Sequence, residues 1–363
     1  MRARIIIGSN LGDEGKGTVV ANYAKQSDNV LNVLTNGGAQ RGHSILTKDG
    51  SITYQHFGSG TYYGADTYYS RFFILNPMQF VKEIFELQVK PQNIYRDNNC
   101  RWSTIYDMMA NSIENSQKKM HATCGMGIWN TIKRYRESLT ISFDDFMGLP
   151  YDKKINYLST VKKYYENKIS IPESIKTIWD SEHIMRHFIM DCAYMKKHTV
   201  VKQIDKLSGY NDILFENGQG LLLTDTGKDT YDTTPSCTGK TYAIELLNDM
   251  GIIKSGTVLP EHDVTLHYVT RPYLTRHGDG YLDETSKSNL SHYVDDDRTN
   301  KWNEFQGEFR YGELDINSLK NRVLTDSDGL PFEIELTHCD EMDRLSEFKK
   351  IFKTVNTYDS PIV

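Results

Sequence analysis

The chain opens on Ile5-Ile6-Ile7, a short apolar run closed by Gly8, and a second run follows at Val30-Leu-Asn-Val-Leu34. Continuous apolar runs bounded by glycine and polar residues mark strands buried on both faces, whereas a strand with one wet face alternates. Between the two runs, Thr18-Val-Val-Ala-Asn-Tyr-Ala-Lys25 carries apolar residues at helical spacing. The unit reads strand, glycine turn, helix, strand, the start of a parallel sheet with right-handed crossovers. Residues 102–205 hold few glycines and many Lys, Glu, Tyr and Met, which predicts a helix-rich insertion. Strand signals return at Ile213-Leu-Phe215, Gly220-Leu-Leu-Leu223 and Val264-Thr-Leu-His-Tyr-Val269. No repeat, low-complexity tract or long linker interrupts them. The expected fold is α/β, a mostly parallel central sheet in one elaborated domain over residues 1–363.

Composition narrows the chemistry. The 363 residues are 38% hydrophobic and 25% charged, with 26 Gly and 9 Pro, values foreign to collagen-like or disordered chains. No apolar stretch approaches the roughly 18 residues of a spanning helix. The run at Ile5–Ile7 is too short for a secretion signal, so no membrane partner is expected. The 42 basic and 48 acidic residues leave a net charge of −6, which argues against nucleic acid as a partner. Small anions held by a local cluster of cations remain possible. Cys100, Cys124, Cys192, Cys237 and Cys339 are odd in number and widely spaced. They suggest a reducing cytoplasm rather than a disulfide framework or a zinc cage.

The densest chemical signal is Gly8-Ser-Asn-Leu-Gly12-Asp13-Glu14-Gly15-Lys16-Gly17-Thr18. A glycine-rich turn between a buried strand and a helix lets backbone N–H groups surround an anion, and the helix N-terminus and a lysine add positive charge. The spacing is not that of the Walker A loop. Asp13 and Glu14 are unexpected in a phosphate cradle unless a carboxylate there holds Mg²⁺ or takes a proton.

Gly12-Asp-Glu-Gly-Lys-Gly17 resembles the signature loop of the adenylosuccinate synthetase family, and further stations follow in the family's order. Asn36-Gly-Gly-Ala-Gln40-Arg41-Gly42-His43-Ser44 is similar to the segment ending Asn-Ala-Gly-His-Thr, and Gln55-His-Phe-Gly-Ser-Gly60 to His-x-Leu-Pro-Ser-Gly. Phe215-Glu-Asn-Gly-Gln219-Gly220 resembles Phe-Glu-Gly-Ala-Gln-Gly, and Thr275-Arg276-His-Gly-Asp-Gly280 resembles Thr-Arg-Val-Gly-x-Gly. Thr230-Tyr231 with Thr233, Thr234 and Ser236 looks like the family's phosphate-binding threonine stretch. Leu336-Thr337-His338-Cys339-Asp340 looks like the Leu-Thr-Lys-x-Asp that reads the donor base. The resemblance runs from residue 5 to about residue 341.

It implies the adenylosuccinate-synthetase fold and a ligase that joins L-aspartate to C6 of a purine nucleoside monophosphate, with Mg²⁺ and a nucleoside triphosphate, ATP or GTP. Phosphorylation of O6 makes that oxygen a leaving group once N1–H has been removed. By resemblance Asp13 is the base, His43 the acid at the γ-phosphoryl, and Gln219 the amide on the purine. Gly12, Gly15, Lys16, Gly17 and Gly42 would cradle the donor phosphates, with Thr337 and Asp340 at its base and Mg²⁺ on Asp13 and Gly42. Gln40, Arg41, Thr123, Cys124, Thr233, Thr234, Arg276, Gly307 and Arg310 would contact the monophosphate or aspartate. A homodimer is implied as well, in which an arginine crosses the interface; Arg134 and Arg136 are the candidates, unless that arginine is missing.

The departures fall on recognition rather than on the loop. Gln40-Arg41 stands where the family has Asn-Ala, and His338 stands for the base-reading lysine. The aspartate loop is altered around Gly307 and Arg310, and Cys124 lies in a changed Thr-Thr-Gly-Arg segment. This pattern is similar to the family's viral branch, the 2-aminoadenylosuccinate synthetases, which act on dGMP for diaminopurine DNA and often accept ATP; that branch implies a phage protein working in host cytoplasm. The alternatives are an ordinary adenylosuccinate synthetase using IMP and GTP, or a nucleotide-binding module without turnover.

Overall fold

The computed structural model describes residues 1–48, 50–87, 93–117, 124–224, 233–278, 280–284, 290, 302 and 307–360. Among these, nine strands form one sheet: β1 (Arg2–Gly8), β2 (Val30–Leu34), β3 (Asp66–Tyr69), β4 (Ile94–Arg96), β5 (Val200–Val201), β6 (Asp212–Gly220), β7 (Asp263–Thr270), β8 (Phe332–Leu336) and β9 (Val355–Thr357). Their order is β5-β4-β3-β2-β6-β1-β7-β8-β9, and every neighbouring pair is parallel. From β2 the chain steps outward to β5, returns as β6 between β2 and β1, then steps outward the other way. That reversal opens a crevice at the carboxyl ends of β1, β2, β6 and β7.

The apolar runs fill the middle of the sheet because both faces are covered. All five residues of β2 are buried. Its one polar member, Asn32, accepts the Gly60 N–H at 2.9 Å and donates to the Leu214 carbonyl at 3.3 Å. Helix α1 (Lys16–Lys25) covers one face through Val19, Val20 and Ala24, packed on Ile6, Leu214 and Val269. A fully buried Val or Leu at such a place stabilises by about 1.5–3 kcal/mol.

Helix α2 (Pro77–Glu86) is followed by the helix-rich stretch expected from composition: α3 (Ile105–Gln117), α4 (Ile128–Arg136), α5 (Phe143–Gly148), α6 (Tyr151–Glu166), α7 (Glu173–Trp179) and α8 (Glu182–His198). It is tied to the sheet edge by Arg96 of β4, which holds Asp144 with a bidentate pair at 2.6 and 2.7 Å. Beyond it, α9 (Thr241–Asp249) and α10 (Ile316–Ser327) pack with Leu246, Leu247, Leu319 and Val323 on the opposite face of the sheet. No described helix is long and apolar enough to cross a membrane.

One strand expectation fails. Leu221–Leu223 is a turn of 3-10 helix, not a strand. Gln219 adopts φ +64, a bulge one residue before β6 ends at Gly220, and the glycine loop crosses so closely that a Cβ on Gly220 would lie 2.4 Å from the Asn10 carbonyl oxygen. The Leu222 N–H then bonds that same oxygen at 2.9 Å.

Candidate active site

The glycine loop leaves β1 and crosses the crevice. Gly12 (φ +96), Asp13 (φ +59) and Gly15 (φ +88) all take left-handed backbone, which explains two of the glycines and costs Asp13 some strain. The two acids divide. Glu14 is buried and its carboxylate is taken up within the chain; its Oε1 accepts the N–H groups of Asn10 and Gly12, both at 2.9 Å, and its Oε2 lies 3.0 Å from Lys16 Nζ. Glu14 is thus the brace of the loop, and Lys16 is its counter-charge rather than an open cation. Asp13 is exposed, and its carbonyl is held at 2.8 Å by the buried Arg271. No side chain caps the N-terminus of α1, so nothing from the chain competes with an anion there.

Gly17 brings α1 against the neighbouring hairpin: a Cβ there would sit 2.6 Å from the Ser44 carbonyl. His43, beside it, is buried, with Nδ1 2.5 Å from Glu216 Oε1. Glu216 also accepts the Ser59 N–H at 3.0 Å and its hydroxyl at 2.7 Å. Burial raises the Glu216 carboxyl, yet the nearby Arg41 charge and these hydrogen bonds draw it down to about 2. Burial pushes His43 down to about 4, against the pull of Glu216. At neutral pH the pair is an anion accepting Nδ1–H from a neutral imidazole. His43 can act as an acid only after taking a second proton, which a bound polyphosphate would favour.

Arg41 is buried behind this pair, donating to the carbonyls of Glu216 (3.3 Å) and Phe57 (3.0 Å). It charges the dyad from within and is not positioned as the substrate contact read from the motif. The acid limb of stability follows. Unfolded His43 protonates near its ordinary 6.5 and folded His43 only near 4, so the stability it contributes is full above 6.5 and is lost as pH falls toward 4. His43→Asn should flatten that part of a Tm–pH curve, with the midpoint elsewhere little changed.

Around the crevice lie several of the residues expected from the motifs to contact substrate. Asp13, Lys16, Gly42, His43, Arg271 and His338 line one cavity. Gln219 faces the loop, its Oε1 3.3 Å from where a Gly12 Cβ would be. Gln40 Nε2 donates to Thr234 Oγ1 at 3.0 Å, and its carbonyl accepts the Cys124 thiol at 3.6 Å, so three expected contacts meet. Thr233 is half-buried beside buried Thr234, while Thr123 lies outside the described residues. Asn36 stitches the wall together: it accepts the Gly218 N–H at 2.7 Å and donates to Ser236 Oγ at 3.1 Å.

Arg276 and Arg310 face each other in a two-stranded ladder beside Gly307. Arg276 donates to the Tyr281 carbonyl at 2.9 Å, and Arg310 to those of Gly278 and Gly280 at 2.9 and 2.5 Å, with Glu284 at 3.4 Å. Both arginines spend donors on the carbonyls of Gly278, Gly280 and Tyr281. Thr337 Oγ1 donates to the Glu14 carbonyl at 2.7 Å, docking the turn after β8 on the loop.

The adenylosuccinate synthetase family model matches residues 5–357. The chain belongs to the adenylosuccinate synthetase family. Its members are C–N ligases. The adenylosuccinate synthetase of Malacoplasma penetrans is 26% identical over 359 residues, covering 95% of this chain and 79% of that one. The match to the Acaryochloris marina enzyme is 25% identical over 232 residues and spans only 50% of that relative. The solved structure of fully ligated adenylosuccinate synthetase from Plasmodium falciparum aligns with TM-score 0.70 at 19% identity, over 93% of this chain and 77% of that one. The cyanophage S-2L succinoaminodeoxyadenylate synthetase, bound to dGMP and dATP as an energy donor, aligns with TM-score 0.62 at 12% identity, over 99% and 91%.

Two family positions look different in three dimensions. Arg134, a candidate to cross a synthetase dimer interface, is fully buried in its own chain: its guanidinium meets Asp107 at 2.9 Å, Tyr157 Oη at 3.0 Å and the Trp102 carbonyl at 3.0 Å. It cannot reach a partner. Arg136, one half-turn on, is exposed. At the base-reading turn, Asp340 Oδ1 already accepts the Ser360 N–H and hydroxyl at 2.6 and 2.7 Å. His338 is buried with φ +56, its Nδ1 2.9 Å from Thr337 Oγ1. Arg271, Glu216 and the bracing role of Glu14 escaped the sequence reading. Only Glu216, inside its motif, carried a signal.

Proposed function

We propose that this ligase joins L-aspartate to C6 of a 6-oxopurine nucleotide through a 6-phosphoryl intermediate, with dGMP as preferred acceptor, ATP as donor and 2-amino-deoxyadenylosuccinate as product. The observation that carries the reading is the exposed Asp13 carboxylate on the glycine loop beside the buried His43–Glu216 pair. Asp13 takes the N1 proton, so charge collects on O6, which attacks the γ-phosphorus and releases ADP. His43, protonated as the donor binds, stabilises the moving phosphoryl group. The aspartate amine then attacks C6 and inorganic phosphate leaves.

A Mg²⁺ ion suits this cavity, because one carboxylate with backbone and phosphate oxygens is the donor set it accepts. Asp13 and Gly42, which border the cavity, would hold it. When bound it neutralises the donor phosphates. Arg310 would meet the aspartate carboxylate by exchanging Glu284 for it. We further propose a homodimer in which Arg136, not Arg134, is the arginine offered across the interface. The five cysteines are free thiols, which suits a reducing cytoplasm.

Two features favour dGMP and ATP. With Gln40 Nε2 committed to Thr234, its amide oxygen is the atom left to accept from a 2-amino group. Asp340 Oδ1 is engaged by Ser360, and His338 stands where the family has its base-reading lysine, which relaxes the demand for a guanine donor. The second reading, IMP with GTP, is favoured by sequence, since the structurally aligned Plasmodium falciparum enzyme is 19% identical and the phage enzyme 12%. A coupled phosphate-release assay with L-aspartate decides. We expect kcat/KM for dGMP to exceed that for IMP by about 10-fold or more, the worth of one net hydrogen bond. A preference for IMP selects the second reading, and no release with dGMP, GMP or IMP rejects both.

A further inference from the structure

Away from the crevice, a groove of about 640 Å³ runs beneath α1, bordered by Arg4, Tyr23, His267, Glu333 and Asn356. At its inner wall His267 of β7 pairs in register with Glu333 of β8, and Glu335, two residues along, shares the same face of the sheet. One ligand atom from each of the three lies within 4.8 Å of the other two. His267 Nδ1 is 2.7 Å from Glu335 Oε1 and 3.8 Å from Glu333 Oε2. The Tyr23 hydroxyl reaches Glu335 Oε1 at 2.9 Å, and the Asn356 amide bridges the two carboxylates at 2.8 and 3.1 Å.

The network is incomplete. His267 is 3% exposed and Glu335 0%, yet His267 Nε2 and Glu335 Oε2 have no hydrogen-bond partner. Nothing in the ligase chemistry uses these two atoms. We propose that His267, Glu333 and Glu335 bind a divalent transition-metal cation of the Zn²⁺ class, separate from the Mg²⁺ of the phosphate cleft. One imidazole and two carboxylates suit Zn²⁺ better than Mg²⁺, which prefers oxygen alone and keeps its waters. Zinc bonds of about 2.0–2.2 Å place ligand atoms roughly 3.4 Å apart, between the two distances observed. Two carboxylates balance the ion's charge. Tyr23 and Asn356 orient the ligands, and the groove supplies the entry path. Tyr23 lies two turns below the start of α1, so the ion clamps the seat of the phosphate-binding helix to β7 and β8.

The test is calorimetric titration of Zn²⁺ alone into metal-stripped full-length protein under saturating Mg²⁺. One ion per chain is expected, with a rise in Tm. Glu333→Gln and His267→Ala should each weaken Zn²⁺ binding about 100-fold or more, and Asp13→Asn should leave it unchanged. His267→Ala risks misfolding, so Glu333→Gln, at the half-buried edge, decides alone, and its kcat without Zn²⁺ should match that of the unaltered protein. No Zn²⁺ bound under Mg²⁺, unchanged affinity in Glu333→Gln, or loss of binding in Asp13→Asn would each overturn the proposal.

Discussion

Asp13→Asn should lower kcat by about 10³-fold, within the range a positioned general base contributes, while Tm changes by less than the scatter of the measurement. Asparagine is the informative replacement. It tolerates the left-handed backbone that position 13 adopts at φ +59, so the loop keeps its shape and only the carboxylate is lost, both as the proposed base and as a proposed Mg²⁺ ligand. The side chain is exposed and the bracing is done by Glu14, which predicts that folding is indifferent to the change. A large fall in Tm, with kcat per folded molecule preserved, would make Asp13 a structural residue and remove the base from the mechanism.

The largest effect on stability belongs to Arg134. Its guanidinium and Asp107 are both fully buried and joined at 2.9 Å, with Tyr165 Oη also on the carboxylate at 2.5 Å. Arg134→Met leaves that carboxylate unpaired, and we expect a loss of about 3–5 kcal/mol in denaturant unfolding. Arg134→Met with Asp107→Leu should recover most of it, because an apolar pair needs no counter-charge. Remaining folded Arg134→Met protein should keep its KM for nucleotide. A raised nucleotide KM with unchanged stability would instead make Arg134 the arginine that serves a partner's site.

Local pattern and remote pairing were unequally legible in the sequence. Ile5–Ile7 and Val30–Leu34 announced buried parallel strands because an apolar run is a local signal, and the glycines of the loop announced left-handed turns. The motif stations converge at the strand ends because a parallel sheet delivers all its carboxyl ends to one side. Partner choice is another matter. His43 and Glu216 are 173 residues apart, so nothing local says that the histidine is held neutral by burial against that acid. Glu14 and Asp13 are chemically alike in sequence, and only the reach of Glu14 back to Asn10 and Gly12 separates the brace from the exposed carboxylate. Arg41 read as a substrate contact and Arg134 as a candidate to cross the dimer interface, because burial of a charge depends on partners the chain brings from elsewhere. Leu221–Leu223 has strand composition, and a crossing loop overrode it.

The central claim is that the carboxylate at position 13 makes O6 nucleophilic before aspartate arrives. Positional isotope exchange tests it most directly: ATP labelled with ¹⁸O in the β–γ bridge is incubated with dGMP and Mg²⁺, without L-aspartate, and scrambling of the label is followed. The account predicts scrambling with the unaltered protein, through reversible phosphoryl transfer to O6, and none above background with Asp13→Asn. Equal scrambling by both proteins would contradict it.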